Sequence, residues 1–271
     1  MTRHLAWDGC FNARDLGGWC TVDGRRVTWG QLIRSDALDH LTPAGWDAVM
    51  AYGIRTVIDL RSDVERPSKP IALPAGLTAI HVPLEDLTDA EFWEEWLGHT
   101  HSPHYYAAFV ARYPTRLAAV IRAVAQAQPG GVVIHCAVGR DRTGLVSILL
   151  LALVGVLPAD IIADYALTAE RLHLIYANET RAAALQAAGQ RVLAQIRAHG
   201  ARLSIDGNTP PVVRSPATDR DGILHLLETV NVESLLLSGG LTTAEIKAVC
   251  DRLLGAKSAR ECRSGDGRRE P

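Results

Sequence analysis

Lysine is scarce in this chain: of 28 lysines and arginines only Lys69, Lys247 and Lys257 are lysines. These cations face 30 aspartates and glutamates, which leaves a net charge of −2. No basic excess therefore marks the chain for nucleic acid or an anionic membrane surface. Long apolar runs are also lacking, and the most continuous one, residues 145–157, falls short of the roughly 20 residues that span a bilayer. The first nine residues carry Asp8 and no apolar core, so no secretory leader is expected and a cytoplasmic location is. The five cysteines (Cys10, Cys20, Cys136, Cys250 and Cys262) are odd in number and show no C-x-x-C spacing. That excludes a zinc ribbon or a thioredoxin-like site and makes reduced thiols the expectation. Neither G-x-G-x-x-G nor G-x-x-x-x-G-K-S/T occurs, so dinucleotide and nucleoside-triphosphate binding lack support.

A hydrophobic fraction of 48% with 21% charged residues is that of a globular protein. No internal repeat or low-complexity linker divides the 271 residues, so one domain is expected over 1–255, with a disordered polar tail over 256–271. The Asp23-Gly24 pair predicts a hairpin near the start. Thr42-Pro43 reads as an N-cap followed by proline at the first helical position, with Gly53 past the helix end. Residues 54–60 and 77–84 read as strands, and the prolines between 66 and 74 as loop. Apolar residues recur at three and four between Tyr106 and Val124, which predicts a helix broken or kinked at Pro114. Val132-Val133-Ile134 is a buried strand. Helices are predicted over 142–156 and 160–199, and two or three more over 223–254, with a turn-rich loop over 208–216. Short strands alternating with helices predict one α/β domain with helical additions.

The segment that carries chemistry runs from Gly131 to Gly144. It is a buried strand, then His135-Cys136, then five residues, then Arg142-Thr143-Gly144 opening an apolar helix. A loop between a strand end and a helix start turns successive backbone N–H groups inward, and the helix dipole adds positive potential. Ala137, Val138, Gly139, Arg140, Asp141 and Arg142 would cradle a tetrahedral phosphate dianion. The same field favours the thiolate of Cys136, the form that attacks. Arg142 offers a planar fork of donors that lysine cannot match. Gly139 leaves the backbone room to curl, Thr143 can donate a hydroxyl to sulfur, and His135 fixes the strand end. An Arg-Asp-Arg cluster at a helix N-terminus, which should repel cations, calls for an anion to offset it.

His135-Cys136-x-x-Gly139-x-x-Arg142-Thr143 resembles the signature of the cysteine-dependent protein tyrosine phosphatase superfamily. The fuller pattern is similar to bacterial tyrosine/lipid phosphatases whose loop reads H-C-x-x-G-K-D-R-T-G. Other segments match in order: Asn12 to Gly18 resembles N-F-R-D-L-G-G, Arg34 to Leu38 resembles R-S-x-x-L, Ile58 to Ser62 with Glu65 resembles D-L-R-S-x-x-E, and Asp164 to Thr168 resembles D-Y-x-L-T. Ala13 replaces an aromatic residue and Arg140 replaces lysine. The resemblance implies a central short mixed sheet flanked by helices, with no cofactor and no metal. It also implies a two-step reaction in which Cys136 attacks phosphorus, Arg142 and the loop amides stabilise the transition state, and water hydrolyses a cysteinyl-phosphate. The substrate would be a phosphorylated protein, a phosphoinositide or a small phosphorylated metabolite, and the oligomeric state stays open.

Two carboxylates compete as the general acid: Asp141 inside the loop, and Asp59 at the end of a strand. Asp141 is favoured, since Asp59 can equally be a loop-fixing partner of Arg61 or Arg142. Arg14 and Asp15 are expected to buttress the loop. His99, His101 and His104 resemble a metal cluster, but no acidic partner stands at ligand spacing and surface histidines are the better reading. Phe92, Trp93 and Trp96 read as core. Arg140 is expected to reach the pocket mouth, or else to pair with Asp36 or Glu65. A phosphate-binding module without catalysis would need no cysteine, and a sulfurtransferase would not explain the D-R-T-G ending.

Overall fold

The apolar β-branched runs form strands where expected, and they meet in one sheet. The computed structural model describes residues 3–68, 72–100, 102–203 and 216–255. Its strands are β1 (Arg14–Asp15), β2 (Leu32–Ser35), β3 (Ile54–Asp59), β4 (Thr78–His81) and β5 (Gly131–His135), in the order β1-β2-β5-β3-β4. β1 runs antiparallel to β2 and the remaining neighbours are parallel. The sheet is thus mixed, as the resemblance implied. The helices of the described residues are α1 (Pro43–Ala51), α2 (Ala90–Trp96), α3 (Tyr106–Arg112), α4 (Pro114–Gln126), α5 (Asp141–Leu153), α6 (Pro158–Ala166), α7 (Ala169–Ala177), α8 (Glu179–Ala198), α9 (Pro216–Thr229), α10 (Val232–Ser238) and α11 (Thr243–Leu254).

Strand alternation sorts the core into two layers. Ile33, Val57 and Val133 point to one face, where Trp46 and Val49 of α1 cover them. Leu32, Ile58, Val132 and Ile134 point to the other, against Leu117 and Ile121 of α4 and Ile148 of α5. All five residues of β5 are buried, because this strand lies at the centre with helices on both faces. Fully burying a valine or isoleucine there contributes about 1.5–3 kcal/mol each.

Thr42 caps α1, its hydroxyl accepting from the Gly45 N–H at 3.2 Å, with Pro43 next. Pro114 separates α3 from α4 rather than kinking a single helix. Residues 160–199 are not one helical stretch, because Asn178 caps α8 through the Arg181 N–H at 3.0 Å and divides it from α7. The turn at Asp23-Gly24 closes a short bridge between Cys20 and Arg26, with Gly24 at φ +83°. β1 and β2 were not expected as strands. The expected loop at 208–216 lies outside the described residues but for Pro216, which opens α9, and the tail lies wholly outside them. Cys10, Cys136 and Cys250 are free thiols, and Cys262 lies outside the described residues. No helix among the described residues is long and apolar enough to cross a membrane.

Candidate active site

β5 delivers Cys136 to the carboxyl edge of the sheet, between β2 and β3, which is where ligands of open parallel sheets bind. Cys136 is 2% exposed. The loop from Cys136 to Asp141 then turns into α5, and three of its carbonyls are tied away from the enclosed side. The Ala37 N–H donates to the Ala137 carbonyl at 3.1 Å. Asn12 Nδ2 donates to the Val138 carbonyl at 2.9 Å, and Arg34 Nη2 donates to the Gly139 carbonyl at 2.7 Å. In a trans peptide the N–H points opposite to the preceding C=O. Fixing these carbonyls outward therefore turns the N–H groups of Val138, Gly139 and Arg140 inward. Gly139 has φ +72°, and a Cβ there would stand 2.5 Å from the Ser35 carbonyl, so both conformation and space demand glycine.

The donors are themselves held by buried charge. Asp164, at 1% exposure, accepts from Arg14 Nε at 3.0 Å and from Arg34 Nη1 at 2.8 Å. Arg14 Nη1 also donates to Asn12 Oδ1 at 2.8 Å. Burial alone would raise the Asp164 carboxyl pKa, but the two arginines outweigh it and hold it low. Asp36 accepts from the Asn12 N–H at 2.9 Å and pairs with Arg181 of α8. Arg14 thus reaches the loop through Asn12 and Asp164. Asp15 does not buttress the loop as expected: its carboxylate accepts from the Gly17 N–H, the Gly30 N–H and the Tyr52 hydroxyl, each at 2.6 Å.

Arg142 is gripped by Glu65, with Nη1 at 2.5 Å from Oε2 and Nη2 at 2.7 Å from Oε1. Glu85 stands 3.0 Å from Nη1. Burial works against the guanidinium charge, yet the two glutamates more than offset it. Glu65 is fixed in turn by the Ser62 N–H at 2.9 Å and the Ser62 hydroxyl at 2.8 Å. Glu85, absent from the expected site, joins it from the end of the segment that follows β4.

The two acid candidates are placed differently. Asp59 accepts from Arg61 Nε at 3.0 Å and Nη2 at 2.8 Å, and Arg61 also pairs with Asp39. Burial would raise the Asp59 pKa, but His135 at 3.9 Å and Arg61 pull it well below the carboxylate range. Asp141 opens α5, and its backbone carbonyl accepts from the Tyr106 hydroxyl at 3.2 Å. Thr143 is fully buried, and its hydroxyl lacks a hydrogen-bond partner among the described residues, Cys136 Sγ included. His135 Nδ1 lies 3.3 Å from the Cys136 carbonyl. Arg140 pairs with neither Asp36 nor Glu65: its Nη2 donates to Asp219 of α9 at 3.0 Å.

His99 packs edge-on to Trp96 and His104 lies in a short turn capped by Ser102, while His101 is outside the described residues. Among the described residues no group of three or more metal-ligating side chains gathers. Phe92 and Trp93 are buried in the core.

A family model described as the tyrosine phosphatase family matches residues 5–255. A Cupriavidus necator protein carrying a provisional tyrosine-protein phosphatase name is 35% identical over 179 residues, 60% of this chain and 62% of that one. A tyrosine-protein phosphatase of Nostoc commune is 31% identical over 156 residues, covering 52% of this chain and 49% of its own. The triple specificity protein phosphatase PtpB of Mycobacterium tuberculosis is 29% identical over 194 residues, covering 58% and 66%. The chain spans about half to two-thirds of the length of these relatives. A mixed five-stranded sheet with a cysteine-headed loop at its carboxyl edge agrees with a match that runs almost from end to end, and the chain belongs to the tyrosine phosphatase family.

Proposed function

We propose that the protein is a phosphatase that hydrolyses phosphate monoesters through a cysteinyl-phosphate on Cys136. The observation that carries this reading is the loop itself: three carbonyls tied outward, and thus three amides turned inward, around a cysteine at the sheet edge. In the first step the Cys136 thiolate forms a bond to phosphorus as the bond to the leaving oxygen breaks. Asp141 gives its proton to that oxygen, a role Asp59 is poorly placed to share because its pairing with Arg61 keeps it ionised. The inward amides and Arg142 take the charge that develops on the phosphoryl oxygens. Glu65 uses one N–H of each terminal nitrogen of Arg142 and Glu85 stands at Nη1. Nε and the second proton of Nη2 remain as donors to the oxyanion. In the second step Asp141 takes a proton from water, which attacks phosphorus and frees the thiolate.

The relatives' names support phosphotyrosine as the substrate class; phosphoserine, phosphothreonine and phosphoinositides are extensions that rest on the resemblance of the loop motif. The test is turnover of p-nitrophenyl phosphate by the wild type and by Cys136→Ser. The variant should lose turnover yet still bind vanadate, because the amides and Arg142 remain. Near-wild-type turnover in Cys136→Ser would remove the covalent step.

A further inference from the structure

Arg140 is the loop residue whose side chain leaves the phosphate cradle for a different neighbourhood. Its guanidinium is buried against Asp219, with Nη2 to Oδ2 at 3.0 Å and side-chain exposures of 8% and 16%. The second oxygen of Asp219, Oδ1, is buried and has no hydrogen-bond donor among the described residues. Both residues border a cavity of about 280 Å³ between α6, α7 and α9, whose walls include Ile162, Tyr165, Leu172 and Tyr176. Arg220 also borders it but is itself exposed, where water and salt screen its charge.

The cavity adjoins the loop beside Asp141: the Tyr106 hydroxyl donates to the Asp141 backbone carbonyl at 3.2 Å and lies 3.1 Å from the hydroxyl of Tyr165, one of the cavity's walls. Asp141 is near enough to Tyr165 and Tyr176 that its charge adds to burial in raising both phenols. On the proposed mechanism Asp141 protonates the departing oxygen, so the group attached to that oxygen points toward the same walls.

We propose that Asp219 is a specificity-determining residue that cancels the charge of Arg140 and leaves the cavity selective for apolar leaving groups bearing a hydrogen-bond donor. A leaving group with a second anion would have to displace Asp219 from Arg140, or sit beside its carboxylate in a poorly screened space. A leaving group carrying an ammonium or hydroxyl would instead supply the donor that Oδ1 lacks, against apolar walls suited to a ring. The proposal rests on the phosphatase reading above and deepens it to a substrate class.

The test uses the full chain and three aryl phosphates of one shape: 4-(aminomethyl)phenyl, 4-methylphenyl and 4-carboxyphenyl phosphate. The wild type should rank them by kcat/KM in that order, with about tenfold between the first and the last. Asp219→Asn, close in size, should collapse the ranking by raising the carboxylate probe relative to the other two, and Asp219→Ala should do the same. Equal changes for all three probes would make Asp219 a strut for the loop and overturn the proposal. So would a wild type that prefers the carboxylate probe, an outcome that needs no variant to fold. No turnover of any of the three probes by the wild type would instead break the phosphatase reading, and turnover of all three by Cys136→Ser would remove the covalent step on which it rests.

Discussion

Asn12 is fully buried and touches the loop between Cys136 and Asp141 from 126 residues away in sequence. Asn12→Ala removes two interactions at once. The Val138 carbonyl loses its donor at 2.9 Å, and Arg14 Nη1 loses its acceptor at 2.8 Å. An unsatisfied buried carbonyl costs about 1–3 kcal/mol, and a hydrogen bond to a buried charge contributes about 1.5–3 kcal/mol. Water recovers part of the first, since Val138 is half-buried. A net loss of about 2–4 kcal/mol in urea unfolding is expected. The functional effect should be separate from that loss. With the Val138–Gly139 peptide free to turn, one inward amide is no longer aimed, and a mis-aimed oxyanion donor costs up to about 10²–10³ in kcat. Vanadate inhibition should weaken in parallel, measured below the unfolding midpoint so that the folded fraction is constant. If stability falls as expected while kcat/KM and the vanadate constant stay at wild-type values, the outward carbonyls do not orient the cradle.

Asp141→Asn should slow an alkyl phosphate by about 10²–10⁴ while sparing p-nitrophenyl phosphate, whose phenolate leaves unaided. Asp59→Asn should show no such dependence on the leaving group, and if it alone does, the two carboxylates exchange roles. Stability should fall on the acid side. Burial alone would raise the pKa values of Asp59, Glu65 and Asp164, but their cationic partners hold them below the unfolded values of roughly 3.9–4.3. Their contribution is therefore complete above that range and lost as pH falls through the depressed folded values. A urea midpoint that stays flat from pH 6 to pH 3 would contradict these pairings.

The loop was legible because its signals are local. A buried β-branched strand, a cysteine, a fixed gap and an apolar helix need no distant partner to be read: β5 forms there within a residue at each end, and α5 starts one residue early and ends three residues short. β2 was not legible. Its four residues place Arg34 and Ser35 in the interior, and a buried arginine breaks the apolar pattern by which a strand is recognised. Asp164 is why Arg34 can be there, and 130 residues separate the two. The break between α7 and α8 did carry a local mark, since Asn178 followed by Glu179 is a cap and an acidic first turn. It was masked by an Ala- and Leu-rich sequence that suits helix throughout. For Arg140 the pull toward an acid was foreseeable. That the acid is Asp219 depends on how α9 packs beside the loop, which no spacing encodes.

The covalent intermediate is the most direct test of the mechanism. Rapid acid quench during the first turnover, followed by peptide mapping, should find one phosphate on the peptide that carries Cys136. The same peptide should be unmodified in Cys136→Ser. Phosphate on another residue, or steady turnover with no phosphoenzyme at any quench time and no burst of phenol release, would contradict attack by Cys136.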